Sequence, residues 1–217
     1  MNSRVICIFK SASLALALIG MVACGNGSSG SSGGNNNGTI NAGTGTGNPQ
    51  ADTQTTGSQT QSNAQVGIQQ AAAAAGSNLK FTTVDVTSVP CIGGGTFIVS
   101  GDVTNGSPTT FDLDMNFDGC TLLDGSVSVT GTIDTTLPSI SYDYQIDGDV
   151  GANGCVVTFD NYSVLVDIPD FSNPVSGTVT INNSIAGECA EGSSTCVYEN
   201  VQLALTGGVP SGTVSCD

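Results

Sequence analysis

One stretch of the chain has the spacing of a calcium-binding loop. Asp114, Asn116 and Asp118 alternate with other residues and precede Gly119, which matches the first half of the pattern D-x-[DN]-x-[DN]-G. Their oxygens suit Ca2+, a hard cation that prefers oxygen ligands. Position 12 of such a loop should be Glu but is Gly125 here. The pattern predicts weak calcium binding at best, and we favour the alternative that these residues form one solvated face of a strand.

Other site chemistry is restricted by composition. The chain has no His, which excludes Ser-His-Asp and Cys-His catalysis and His-ligated zinc. Pairs of carboxylates could serve an Asp-based hydrolase, but so many acids form pairs by chance, and no Trp is present to stack a sugar. We therefore expect no enzyme, with an Asp-based hydrolase as the third-ranked function.

The net charge of the chain restricts its possible partners. Arg4 and Lys10 lie in the N-terminal leader described below, which leaves Lys80 as the only basic residue against 18 acids, a net charge of 1 − 18 = −17. Such a surface disfavours nucleic acid and anionic membrane faces, because both require Lys or Arg to neutralise phosphate. The composition favours solubility and divalent cations.

The leader has the features of a signal peptide. Arg4 and Lys10 precede an apolar run over 11–23, which is too short to span a bilayer as a mature helix. The sequence Met21-Val22-Ala23-Cys24 resembles a bacterial lipobox. The resemblance implies cleavage before Cys24, acylation of Cys24 and, with Gly25 next, an outer-membrane lipoprotein anchored by lipid. Whether it faces the periplasm or the cell surface stays open.

The cysteines predict a disulfide-stapled, exported domain. Without Cys7 and the lipidated Cys24, an even number remains, which predicts three disulfide bonds. We expect Cys91–Cys120 across the first hairpin, Cys189–Cys196 across a short turn, and Cys155–Cys216 by elimination. A zinc site is the less favoured interpretation of these cysteines, because paired C-x₂₋₄-C ligands are absent. The six residues are Cys91, Cys120, Cys155, Cys189, Cys196 and Cys216.

Hydrophobic periodicity defines the domain. Residues 1–23 are the signal peptide, and 24–78 are the lipidated Cys and a low-complexity linker predicted to be disordered, with one short helix allowed over 65–75. Residues 79–217 alternate apolar and polar side chains with a period of two, as in Phe111, Leu113 and Met115. We predict an all-β, antiparallel domain of eight to ten strands. Its turn pairs are Asn105-Gly106, Asp124-Gly125, Asp147-Gly148, Asn153-Gly154 and Gly207-Gly208.

A weak repeat indicates how the strands are arranged. Phe117-Asp118-Gly119-Cys120, Phe159-Asp160-Asn161-Tyr162 and Tyr198-Glu199-Asn200-Val201 share an aromatic, an acid and a turn residue. We interpret them as successive hairpins of a twisted sheet that curls into a sandwich or open barrel. Cys91-Ile92-Gly93-Gly94 followed by the first of these segments resembles uncharacterised β-rich bacterial lipoproteins with Cys-x-Gly-Gly and Phe-x-x-Cys, and that resemblance brings no known activity.

Together these features predict a non-enzymatic, outer-membrane-anchored lipoprotein whose β domain binds or scaffolds an envelope component. The alternative is a surface-displayed, calcium-dependent adhesion or glycan-binding module. We expect no cofactor other than a weakly bound Ca2+. The expected partners are the membrane, through the lipid anchor, and an unidentified envelope protein or glycan, but no nucleic acid.

Overall fold

The structure is a computed structural model that describes residues 40–76, 81–170, 177–204 and 211–217. Cys24 and the predicted signal peptide lie outside these ranges. The described chain contains one helix, α1, and nine strands. Their bounds are α1 Pro49–Ala75, β1 Thr82–Pro90, β2 Thr96–Thr104, β3 Thr109–Asn116, β4 Asp124–Asp134, β5 Ile140–Ala152, β6 Cys155–Ile168, β7 Thr178–Cys189, β8 Gly192–Ala204 and β9 Ser211–Cys216.

The strands form one antiparallel meander. Each strand pairs with the next along the chain, in the order β1 to β9. The predicted all-β antiparallel class and strand number are confirmed, and the described strands belong to a single sheet. Asn153-Gly154 makes the β5–β6 turn, where both residues have positive φ angles of 52° and 78°, the backbone that a tight two-residue hairpin turn requires.

The helix corrects the prediction of a disordered linker for residues 49–75. Residues 24–39, 77 and 78 of that predicted linker lie outside the described ranges. The chain from Pro49 to Ala75 is one continuous helix of 27 residues, far longer than the short helix allowed over 65–75. It begins with a capping Asn48, whose side chain accepts a hydrogen bond from the Ala51 N–H, and with Pro49 in the first turn. Gly76 follows its last residue. These are ordinary start and stop signals for a helix.

The helix packs on the sheet without a wide apolar stripe. Many of its buried residues are small, and Ile68 is the one large aliphatic residue among them. Close approach to the sheet occurs at glycines: a side chain at Gly57 would meet Ile185, and one at Gly67 would meet Met115 and Phe97. Small side chains let the backbones pack closely and gain dispersion energy over many atoms. The buried small residues recur at helical spacing, at Thr53, Thr56, Gly57, Thr60, Ala64, Gly67, Ala71 and Ala75.

Hydrogen bonds anchor the helix to loops at both ends of the sheet. The Thr56 hydroxyl donates to the Ala152 carbonyl at 3.2 Å, and the Ile92 N–H donates to the Asn63 side chain at 2.7 Å. At the other end, Asn105 Nδ2 donates to the Gly76 carbonyl at 2.7 Å. The helix therefore crosses the sheet from the β1–β2 and β5–β6 turns to the β2–β3 turn, and it covers the sheet's apolar face.

The core lies between α1 and the inner face of the sheet. Strand β3 shows the alternation: Phe111, Leu113 and Met115 are buried, whereas Asp112 and Asp114 are exposed. Phe97 and Phe117 pack with ring centroids 5.1 Å apart near one end. Every described strand except β9 places buried residues on this face. The outer face is mostly polar, although it exposes Ile98 and Leu165.

The six domain cysteines form three disulfides, in a pattern that differs in part from the prediction. Cys91–Cys120 is confirmed, with Cα atoms 5.7 Å apart. The other two predicted pairs are wrong. The bonds are Cys155–Cys189 between β6 and β7, with Cα atoms 4.0 Å apart, and Cys196–Cys216 between β8 and β9, at 4.1 Å.

The strand register explains the correction. The β7–β8 turn is only two residues long, because Cys189 pairs with Gly192 across it. Cys196 is therefore carried four residues up β8, opposite Ile185, and cannot reach Cys189. Cys189 instead faces Cys155 across the β6–β7 ladder, and Cys196 faces Cys216. Facing residues on neighbouring strands lie within the distance that a disulfide spans.

Within the described ranges, no helix combines the length and the apolar character needed to cross a membrane.

Candidate functional surface

The outer face of the sheet carries most of the chain's charge. Polar side chains occupy matching positions on successive strands and form rows across the sheet. One row, the central row, is defined by Ser100, Asp114, Ser128 and Asp147, which are paired in sequence across β2 to β5. In the adjacent row, Asp102 lies directly opposite Asp112. Like charges in facing positions destabilise a sheet, so this face is not optimised for stability alone.

The central row lines a shallow open groove of about 400 Å³. Asp114 and Asp147 stand on either side of Ser128, with Asn116 at one end. Strands are about 4.7–4.9 Å apart, so the Cα atoms of these two acids, which lie two strands apart, are separated by about 9–10 Å. The groove combines hydrogen-bonding side chains with apolar ones, including the half-exposed Ile98. Its acceptors suit a polar or cationic ligand.

The three predicted calcium ligands are not arranged as a closed loop. Asp114 and Asn116 point from the exposed face of β3, two residues apart. Asn116 Oδ1 is engaged locally, because it accepts a hydrogen bond of 2.9 Å from the Asp118 N–H in the turn after β3. In the part of the chain that the structure describes, no three His, Cys, Asp or Glu side chains are close enough to hold one metal ion.

A calcium titration checks the weak site directly. We expect calorimetry to show no binding at micromolar Ca2+, and at most the millimolar affinity seen in extracellular modules, because Asn116 Oδ1 is engaged by the Asp118 N–H and no third acid joins Asp114 and Asp118 in a cluster among the described residues. Asp167→Ala, an exposed acid on β6, is the matched control for Asp114→Ala. A micromolar site that only Asp114→Ala removes would contradict this expectation and would favour the adhesion module.

A line of bulges crosses the outer face beside the central row. Two of the repeat segments, Phe159-Asp160-Asn161-Tyr162 and Tyr198-Glu199-Asn200-Val201, are bulges at the same level of β6 and β8. Asn161 and Asn200 have positive φ angles of 52° and 47°, which Asn tolerates better than other non-glycine residues. The third segment, Phe117-Asp118-Gly119-Cys120, lies in the turn after β3 instead. The predicted repeat is thus two bulges and one turn.

Side chains join these bulges across the strands. The Asn161 N–H donates to Asp147 Oδ1 at 2.6 Å, which connects the line of bulges to the central row. Asn183 Nδ2 donates to the Asn161 carbonyl, and the Asn200 N–H donates to Asn182 Oδ1 at 2.9 Å. Because bulges break the ladder and increase local twist, this line is where the sheet can bend around the helix.

All four tyrosines of the chain are on the opposite, inner face. Burial raises the pKa of Tyr142 and Tyr198 to about 12, and it raises the pKa of Tyr144 further. Burial also raises the pKa of Tyr162, with the neighbouring Tyr198 and Tyr144 adding to the effect. The Tyr162 hydroxyl lies 3.4 Å from Gln61 Oε1 of the helix. These groups remain protonated at neutral pH and serve packing.

One carboxylate is buried among the described residues. Asp52, at 2% exposure, lies in the first turn of α1. It accepts hydrogen bonds of 2.8 Å from both the backbone N–H and the hydroxyl of Thr46. Its place near the helix N-terminus is also favourable for a negative charge. Asp52 therefore fixes the chain that enters the helix, and the described residues contain no second buried acid beside it.

Sequence reasoning placed the candidate site on one strand, and the structure spreads it over several. Asp114 was identified, but Asp147 was assigned to a turn pair and Ser100 and Ser128 were not identified. The alternation of polar residues in β2, β4 and β5 was visible. Register between strands decides which of them are neighbours, and no single segment contains that information.

Comparison with known protein families, with curated proteins and with solved structures finds no match to this chain.

Proposed function

We propose that this protein is a non-enzymatic, lipid-anchored binding or scaffolding module of the bacterial outer membrane. The observation that carries the binding role is the polar outer face of the sheet, in which the central row and the line of bulges form one continuous surface of acceptor side chains. The inner face supports this assignment, since it is filled by the helix and the core. Ligands therefore meet the domain at its outer face.

The absence of His from the sequence argues against most hydrolytic mechanisms. An Asp-based hydrolase would place two carboxylates together, with one of them raised in pKa by burial. Asp102 and Asp112 face each other, but neither is buried. Asp114 and Asp147 are separated by a strand, and Asp52 is engaged by Thr46. These positions favour recognition over catalysis. The partner that suits an acidic surface is a cationic protein surface or a polar glycan.

The lipid anchor is tested by replacing Cys24, the residue expected to be acylated. Cys24→Ser is expected to release the protein from the membrane fraction, because acylation requires the Cys sulfur. The measurement is fractionation of cells followed by mass spectrometry of the N-terminal peptide. Cys7→Ser is the matched control, since Cys7 belongs to the segment that is cleaved away. Acyl chains on the Cys24→Ser protein, or a wild-type protein recovered wholly in the soluble fraction, would refute the anchor.

A separate measurement determines on which side of the outer membrane the domain lies. Leu137 is 64% exposed in the turn between β4 and β5, so Leu137→Lys adds an accessible amine to a mature chain that has only Lys80. Labelling of intact cells with a membrane-impermeant amine reagent would indicate surface display. Labelling only after the outer membrane is permeabilised would indicate a periplasmic scaffold.

A further inference from the structure

Two turns at one end of the sheet are joined into a single rigid tip. The tip consists of residues 91–95, between β1 and β2, and residues 119–123, between β3 and β4. Cys91–Cys120 links the two turns covalently, and the Thr121 N–H donates a hydrogen bond of 2.9 Å to the Gly94 carbonyl. The helix adds a third attachment through Asn63 and the Ile92 N–H. The tip is therefore fixed relative to the domain.

The tip is uncharged and exposes two aliphatic side chains. Two apolar residues at the opposite end of the sheet, Phe81 and Leu137, are more exposed, so the position of the tip and not its apolar character alone distinguishes it. Ile92 is 44% exposed and Leu122 is 45% exposed. A side chain at Gly93 would collide with Leu122, so Leu122 lies directly over the first turn and next to Ile92. None of the ten tip residues is charged, in a chain with 18 acids. Asp118 and Asp124 stand at its margins.

The chain enters the domain beside this tip. The Asn41 N–H donates to the carboxylate of Asp124, which follows the tip directly in sequence. The Ala42 carbonyl accepts from the Gly154 N–H in the β5–β6 turn, at the same end of the sheet. The segment that leads back to Cys24 therefore begins at the end of the domain that carries Ile92 and Leu122.

Chain length then restricts which end of the domain can reach the membrane. Cys24 and Ile40 are 16 residue steps apart, which span at most about 53–58 Å even when fully extended. The longest strand has 14 residues, or about 48 Å at a rise of 3.4 Å per residue. The far end could touch the bilayer only if almost the whole tether ran back along the domain. The tip end requires no such extension.

We propose that the tip formed by residues 91–95 and 119–123 rests on the lipid bilayer, with Ile92 and Leu122 in the interfacial region. This rests on the proposed lipid anchor at Cys24. The tip orients the domain, so that the opposite end points away from the membrane and the outer sheet face stays open to the partner. Burial of two half-exposed aliphatic side chains is a weak attraction alone, but the anchor keeps the tip next to the lipid.

The absence of Trp from the chain allows a direct test. Leu122→Trp places one reporter on the tip, and Leu137→Trp places the matched control in an exposed turn at the opposite end. The full-length lipidated proteins are reconstituted in phosphatidylcholine vesicles with brominated acyl chains. A zwitterionic lipid is used because Asp118 and Asp124 flank the tip. We expect quenching of Leu122→Trp fluorescence to be at least several-fold stronger than that of Leu137→Trp.

Flotation of the same vesicles separates failure of the anchor from failure of the tip. If the proteins do not float with the vesicles, the lipid anchor and the proposed function fail. If they float and the two reporters are quenched equally, or Leu137→Trp is quenched more, the anchor stands and the tip contact is wrong. Ile92→Trp, in the other half of the tip, should repeat the Leu122→Trp result, and a failure to do so would also overturn the proposal.

Discussion

Raising the pH from about 9 to about 12 is expected to unfold the domain cooperatively, with tyrosine ionisation and loss of structure occurring together. All four tyrosines of the chain have pKa values raised by burial in the folded state. In the unfolded chain their pKa is about 10. The unfolded state therefore loses phenolic protons that the folded state keeps, and the free energy of unfolding falls as the pH rises.

The size of this effect follows from proton linkage. The stabilisation is complete below about pH 10 and is lost as the pH rises toward the folded-state values. Each tyrosine that ionises only in the unfolded state lowers the free energy of unfolding by about 1.4 kcal/mol per pH unit, so four lower it by about 5 kcal/mol per pH unit. A typical domain has only about 5–15 kcal/mol to lose.

The measurement compares tyrosinate absorbance with far-ultraviolet circular dichroism during an alkaline titration. The two signals should change together. Tyr144→Phe is the matched variant, because the Tyr144 hydroxyl is buried without a hydrogen-bond partner in the described structure. It should keep or raise stability at neutral pH and make the alkaline loss about a quarter less steep. Tyrosinate absorbance with a midpoint near pH 10 in a folded protein would contradict the burial of these residues.

The strands could be predicted from the sequence because alternate side chains of each strand are buried. Alternation in Phe111, Leu113 and Met115 reports one apolar face, and that pattern is local. Two predicted turn pairs, Asp124-Gly125 and Asp147-Gly148, lie inside β4 and β5 instead. Gly125 and Gly148 have φ angles of 109° and 134°, and a Cβ at either would collide with the neighbouring strand's backbone. These glycines permit close strand contact and were mistaken for chain reversals.

The disulfide pairs and the central row depend on register, which no local pattern carries. Cys155 and Cys189 face one another only because β6 and β7 pair along almost their full lengths. In the same way, Asp147 joins Asp114 only through Ser128 on the strand between them. Cys91–Cys120 was accessible to prediction because its two turns neighbour one another in a short meander. Cys189–Cys196, expected across a short turn, is wrong because register places Cys196 beyond reach, and Cys155–Cys216, expected by elimination, is wrong with it.

The hydrophobic pattern does not predict this helix, because a stripe of small residues is not hydrophobic enough to be recognised. Thr, Gly and Ala recur at spacings of three and four residues from Thr53 to Ala75, the period of one helix face. The signal for this helix is the spacing of its small residues and not that of its apolar ones. Low-complexity composition predicts disorder, but in this chain the small residues supply the close packing that lets a polar helix cover an apolar sheet.

Filling one of the small positions should therefore destabilise the whole domain. Gly57→Leu is expected to lower the free energy of unfolding by about 3 kcal/mol, at the upper end of typical overpacking costs, because the new side chain has to displace Ile185. The better helix propensity of Leu offsets only about 1 kcal/mol. Ser58→Leu, at the exposed neighbouring position, is the matched control and should change stability by about 0.5 kcal/mol or less.

A substitution from the sheet side tests the same contact independently. A Cβ at Gly187 of β7 would collide with Thr53 of the helix, so Gly187→Ala should also destabilise the domain, and Thr53→Ala in the same chain should restore part of the loss. Urea unfolding at neutral pH measures all of these variants, with a double-mutant cycle giving the coupling between positions 53 and 187. A linker that does not pack on the sheet would leave Gly57→Leu and Ser58→Leu equally neutral and the coupling at zero. If the helix packs on the sheet, Gly57→Leu must be less stable than Ser58→Leu, and the coupling between positions 53 and 187 must be favourable.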